Sequence, residues 1–284
     1  MAATRPYLKL RAILGGLAFS ASLPAGAQAS GAANSAPAVQ YADLADLADS
    51  AEIVVRAQVR KIVRVESERA PGLRPGWGRY YVQARTRALV AGQTPQGEVL
   101  TYLADMPLDA KGKPPAVKKQ DVLLFARTVR GRPGELQLVA PDAQIAWTAA
   151  AEMQLRSILI ELVAPDAPGK VTGVREIIHV PGNLAGEGET QIFLTTANGS
   201  AASIAVQHRP GAAPLWGASF SELTAELGHP PRPETLAWYR LACFLPNVPP
   251  EGSNHSESAE SRAVAGADYR MVLGELGPCT RSRR

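Results

Sequence analysis

Thr190 to Gln207, Thr-Gln-Ile-Phe-Leu-Thr-Thr-Ala-Asn-Gly-Ser-Ala-Ala-Ser-Ile-Ala-Val-Gln, sets two β-prone runs on either side of Asn198-Gly199. Asn-Gly tolerates the positive φ angles of a tight type I′ turn, so this stretch predicts a hairpin. A hairpin alone cannot bury a hydrophobic face, so the surrounding chain must supply partners. Val171 to Val180 reads as a strand before it and Pro214 to Phe220 as one after it, which together predict a four-stranded antiparallel meander. Thr148 can cap a helix reaching Val163, with Leu155, Ile158, Leu159 and Leu162 as its apolar stripe and Pro165 beyond its end. Two further helices, Glu234 to Leu245 and Ser258 to Leu276, follow the meander. The Gly-rich stretch 181–189 connects two of the strands and could let a ligand approach closely, though Glu187 and Glu189 disfavour a phosphate.

Residues 1–29 have the form of an export signal. Arg5, Lys9 and Arg11 precede a short apolar run, Ala12 to Leu23, and Ala27-Gln28-Ala29 offers small-residue cleavage after Ala29. The run is too short for a spanning helix, which needs about 20 residues. The expected location is therefore periplasmic or secreted, with no integral membrane segment after cleavage. Of 30 basic residues the leader holds three, and it holds no acid. The remaining 27 face 26 acidic residues, so the net charge falls from +4 to +1. A near-neutral exported chain argues against intracellular nucleic acid as a partner. Residues 30–40 read as a flexible lead-in and 281–284, with Arg281, Arg283 and Arg284, as a frayed basic tail.

Cys243 and Cys279 are the only cysteines. In an exported chain an even count reads as a disulfide, here tying the last helix to the one before it. A free thiol at Cys243 is the alternative.

Residues 41–147 carry a different pattern. A short helix, Tyr41 to Ala51, precedes a long alternating strand with Ile53, Val55, Ala57, Val59, Val63 and Val65 on one face. Arg56, Gln58, Arg60, Arg64 and Glu66 occupy the other, and Lys61 breaks the apolar face, as a bulge or rim would. Arg79 to Val90, Glu98 to Ala104, the continuous apolar run Val122 to Ala126, and Glu135 to Val139 complete five strands. Such a set predicts a small, partly closed antiparallel barrel. The expected fold class is α+β: an OB-like β-barrel over 41–147, then an α+β domain over 148–280 with the meander and two C-terminal helices.

The run Ala-Glu-Ile-Val-Val-Arg-Ala-Gln-Val at 51–59, the Tyr-rich second strand, and Asp-Val-Leu-Leu-Phe-Ala at 121–126 resemble the OB-like barrels of exported bacterial proteins. From Tyr41 to Cys279 the chain resembles a group of uncharacterised envelope proteins of alphaproteobacteria. That resemblance implies an envelope location and brings no activity or catalytic residue with it.

Motifs for catalysis are sparse. Gly217-Ala218-Ser219-Phe220-Ser221 lacks the last glycine of a nucleophile elbow, and metal and phosphate-loop signatures are absent. No cofactor or metal is expected. His179 and His208 fall on neighbouring predicted strands, where Glu176 or Glu189 could join them, and are the candidates for catalysis. Arg56, Arg60 and Arg64 lie about 13 Å apart along one strand. Arg85, Arg87 and Tyr81 share a face of the next strand. Like charges so placed ask for solvent, acidic neighbours or an anionic ligand. Three functions follow in order: a non-enzymatic binding or protein-interaction module of the envelope, a hydrolase using His179 or His208 between the domains, and a weak binder of an acidic glycan or other polyanion through the arginine face.

Overall fold

The computed structural model describes residues 39–93, 97–222 and 227–283. The expected export signal, most of the expected lead-in and Arg284 lie outside them. Among the described residues are four α-helices and two antiparallel sheets, a mixed α+β fold.

Helix α1 (Tyr41–Ser50) comes first. Its Gln40 amide donates to Asp43 three residues on, a reciprocal N-terminal cap. The first sheet contains β1 (Ile53–Arg64), β2 (Trp77–Ala91), β3 (Val99–Pro107), β4 (Asp121–Thr128) and β5 (Leu136–Leu138) in the order β3-β2-β1-β4-β5. A short sixth strand that the sequence pattern does not signal, β6 (Gln144–Ala146), also pairs with β4. Among the described residues no closed barrel is found. The two ends of the sheet touch through one parallel bridge, Thr101 with Glu135. One face encloses Val55, Ala57, Val59, Val82, Tyr102, Leu124 and their neighbours.

The pairing of β1 with β2 shifts between Val59 and Lys61, leaving Arg60 as the extra residue of a bulge. A one-residue slip exchanges the faces of a strand. Beyond the bulge Ile62 packs against the enclosed core while Val63 is exposed, so Val63 and Arg64 lie on the faces opposite to those expected of them.

Helix α2 (Ala149–Val163) begins at Thr148, whose hydroxyl accepts from the Ala151 amide. The second sheet is the predicted meander: β7 (Val171–Pro181), β8 (Gly188–Thr196), β9 (Ser203–His208) and β10 (Leu215–Ser219), in the order β10-β9-β8-β7. Its hairpin turn differs from expectation. Asn198 keeps negative φ, whereas Gly199 has φ +74°, and the Gly199 amide donates to Thr196 O. A type I′ turn needs positive φ at both central residues. Here the turn over 196–199 ends on a left-handed glycine and the connection runs over 197–202.

Helices α3 (Leu236–Ala242) and α4 (Ala259–Leu276) complete the fold. A disulfide joins Cys243 to Cys279, with Cα atoms 5.0 Å apart. One hydrophobic core takes in α1, the back of the first sheet (Val54, Leu123, Phe125), α2, the meander, α3 and α4. It continues across the expected boundary at 147/148.

Residues 281–283 of the expected tail are held by contacts and are not frayed. Arg281 pairs with Asp46, the Ser282 and Arg283 amides donate to Asp43, and the Arg283 side chain pairs with Asp142. Three aspartates one helical turn apart on α1 are thus used in series, since Asp49 takes both terminal nitrogens of Arg240. The Arg240 guanidinium holds the Asp49 carboxyl below its ordinary pKa.

Candidate functional site

Acidic neighbours answer most of the arginine face. Arg56 donates through Nε and Nη2 to Asp121 at 2.9 and 2.7 Å, lies 3.6 Å over the Trp147 ring, and reaches Glu152 at 3.7 Å. Hydrogen bonds from the Trp147 indole and Arg156 hold the Glu152 carboxyl below its usual range. Arg87 shares Asp121 at 3.7 Å, and Arg85 pairs with Glu98 at 2.9 Å. Arg60, on the bulge, donates to Gln58 at 3.0 Å. Arg64 stands opposite Tyr80, a core residue, so the bulge separates it from the face of Arg56. The six residues expected to form one basic face therefore do not form one.

Tyr81 belongs instead to an apolar row. Val63, Tyr81 and Leu103 are direct cross-strand partners on β1, β2 and β3, and they are 46%, 47% and 50% exposed. The next pair on the same face, Arg79 with Asp105, forms a two-pronged ion pair at 2.7 and 2.9 Å. A cleft of about 630 Å³ opens beside Tyr81 and Leu103, with Leu136 and Leu138 on its far side. Its size and mainly apolar lining lie within the ordinary range of ligand sites.

The two histidines do come together, on the meander. His179 and Thr190 are direct partners of β7 and β8, and His208 closes β9. Thr190 donates its hydroxyl to Asp268 of α4, so the 2.8 Å contact between His179 Nδ1 and Thr190 Oγ1 has Nδ1–H as donor. His208 Nε2 lies 2.9 and 3.0 Å from the two Asp268 oxygens. The imidazoles meet edge to face with centroids 5.8 Å apart. Ser256 adds a hydroxyl that accepts from the His179 amide. Thr190, Asp268 and His179 are buried, whereas the His208 side chain is 24% exposed. Burial lowers the His179 pKa, as does nearby His208, while Asp268 opposes the shift.

No family model matches this chain, and no curated protein matches it either.

Every member of the histidine network belongs to the region after Thr148, so the pair does not lie between the two expected domains. Glu176 and Glu189 are not part of it. Among the described residues no group of three or more His, Cys, Asp or Glu side chains could hold a metal ion. Thr190 is wholly buried, so its hydroxyl is shielded from any substrate. Chemically, the arrangement is a directed hydrogen-bond chain with one partly accessible imidazole.

Asp268 was not a sequence candidate, yet it carries a signal. It sits beside Ala265, Tyr269, Val272 and Leu276 on the buried face of α4, where a carboxylate requires a partner. The Val63–Tyr81–Leu103 row has no such signal, because it depends on the bulge at Arg60.

Proposed function

We propose that this protein is an exported envelope module, without catalytic chemistry of its own, that binds another envelope protein through the first sheet. The observation that carries the reading is the row Val63, Tyr81 and Leu103, three exposed apolar side chains in register across three strands. Its charged neighbours are largely compensated internally, so the face offers contact area more than charge. The strand order, and the parallel bridge at its ends, support reading this sheet as an OB-like partly open barrel. Export rests on the signal at residues 1–29, and the disulfide suits an oxidising compartment. No helix among the described residues is long and apolar enough to cross a membrane. The likeness to uncharacterised alphaproteobacterial envelope proteins agrees with this location.

The test places a photo-crosslinking amino acid at Tyr81 in intact cells. A discrete adduct is expected there, and none from the same group at Met153, an exposed position on α2. Equal labelling at both positions, or none at Tyr81, would sink the reading. N-terminal sequencing of the exported protein should begin at Ser30.

A hydrolase is the second reading, favoured by the partly exposed His208 held by Asp268. Turnover of simple esters that disappears in His208→Ala would support it over a binding role. Polyanion binding is the weakest of the three, because Arg56, Arg85 and Arg87 already face carboxylates.

A further inference from the structure

Two bulges interrupt the start of β7, and a cleft opens beside them on the outer face of the meander. Pairing with β8 shifts between Val171 and Gly173 and again between Val174 and Glu176, so Thr172 and Arg175 are the extra residues. Bulges bend a strand and re-aim its side chains. Ile192 and Leu194 of β8 belong to the core, so Gln191, Phe193 and Thr195 point to the opposite face. Arg175 lies over the Phe193 ring, 5.4 Å from its centroid, within cation–π reach. Arg56, Arg79, Arg85 and Arg87 of the first sheet each face a carboxylate. Arg175 has no such partner among the described residues.

Phe193 pairs directly with Ser203 of β9. Arg175, Phe193 and Ser203 thus form a row across three strands, about 10 Å long at the usual strand spacing. All three line the cleft, which measures about 680 Å³. The hairpin connection bounds it on one side, where Thr196 donates its hydroxyl to Ser200 O at 2.7 Å and Ser200 donates its own to Asn198 Oδ1 at 2.8 Å. Ser221 and Glu222, just after β10, complete the lining. A connection tied down by its own side chains needs little ordering when a ligand arrives.

We propose that this cleft binds a short, neutral oligosaccharide. Neighbouring hydroxyls of a sugar suit planar partners that make two parallel hydrogen bonds, and the Arg175 guanidinium and Glu222 carboxylate are of that kind, one donating and one accepting. Gln191 donates to Glu189, which leaves its carbonyl oxygen as a further acceptor, and the Ser203 hydroxyl can act either way. The half-buried Phe193 gives the floor an apolar patch for the C–H face of a sugar. Charge selects the neutral class. Arg175 is offset by Glu222 in the lining and by Glu176, its neighbour on β7, so a net charge on the ligand gains little. This site lies on the second sheet and does not depend on the apolar row of the first.

The probes are neutral tetrasaccharides of glucose, mannose, galactose or N-acetylglucosamine, with tetragalacturonate as the acidic comparison, titrated by calorimetry and saturation-transfer NMR. At least one neutral tetrasaccharide is expected to bind saturably and with little dependence on salt. Arg175→Ala should weaken that binding about tenfold or more, the loss of charge-assisted hydrogen bonds. Arg175→Lys keeps the charge without the planar fork and should fare little better. Arg175 is exposed, so both variants should fold, as circular dichroism would verify. Glu222→Ala, which lies outside the strands, supplies a second loss should either of them not fold. Failure of all four neutral probes to bind, tighter binding of tetragalacturonate, or binding undiminished by these substitutions overturns the inference.

Discussion

Asp268 grips His208 with both carboxylate oxygens, 2.9 and 3.0 Å from Nε2, although 60 residues separate the two in the chain. Through Thr190 the same carboxylate also reaches His179, so one side chain of α4 fastens β7, β8 and β9. Asp268→Asn should therefore lower the urea unfolding free energy by about 1.5–3 kcal/mol, the usual worth of hydrogen bonds to a buried charge. Thr190→Val should cost a comparable amount, and the double variant should fall short of the sum because both remove one network. Full additivity would show that the two act separately.

Acidification tests the His179 end of the chain. Its folded-state pKa is depressed, chiefly by burial, whereas an unfolded histidine titrates near 6.5. Just below that value the unfolded state binds more protons than the folded one, so stability falls as pH falls. This group's full contribution is present above about pH 6.5 and is lost as pH drops from there through the folded value. Unfolding midpoints should be lower at pH 5.5 than at pH 7.5, and His179→Gln should flatten that difference. Asp49, Asp142 and Glu152, whose pKa values are also lowered, lose their contributions in a more acidic range, as pH falls from the ordinary carboxylate values.

Two glycines of the central hairpin should fail for different reasons. A methyl group on Gly188 would lie 2.7 Å from His179 Cε1, 2.9 Å from its Nε2 and 3.0 Å from the Val180 carbonyl. Gly188→Ala must displace the imidazole and should cost about 1–3 kcal/mol, as overpacking does. Gly199 has open space but φ +74°. Gly199→Val should cost about 1–2 kcal/mol through backbone strain, and Gly199→Asn should recover most of it. Calorimetric melting of the three variants distinguishes crowding from conformation.

Opening the disulfide should loosen α1. Cys279 leads directly into the segment whose Arg281, Ser282 and Arg283 cover Asp46 and Asp43. Replacing both cysteines by serine should cost about 4 kcal/mol by loop-closure entropy. Hydrogen exchange in residues 41–50 should then rise more than in the meander. Unchanged protection of α1 would mean that its contacts hold without the crosslink.

Elements that announce themselves by local periodicity were legible in the sequence. The meander, the Thr148-capped helix and the cysteine pairing all rest on patterns within a few dozen residues. What escaped depends on pairings between distant segments. Lys61 signalled a break in β1, but only its register with β2 puts the extra residue at Arg60 and turns Val63 outward. The arginines read as an unpaired basic face because Asp121 and Glu152, which compensate Arg56, lie far along the chain. His179 and His208 could be named from their strands, whereas the carboxylate uniting them waits on a helix three elements later. Arg281 and Arg283 looked solvated for the same reason: their carboxylates, Asp46 on α1 and Asp142 before β6, are far away in the chain.

The clasp on α1 also bears on the order in which the molecule is assembled. Ser282 reaches Asp43 across 239 residues, about as non-local a contact as this chain can make. Such contacts form late, once intervening segments have collapsed and brought their ends together. A polypeptide crossing a membrane with residue 43 well ahead of residue 282 would spend its passage with that carboxylate lacking its tail partners. Under the proposed export, completion of the fold would be coupled to completion of transport, and a chain stalled before Cys279 emerges would present α1 unlatched to proteases.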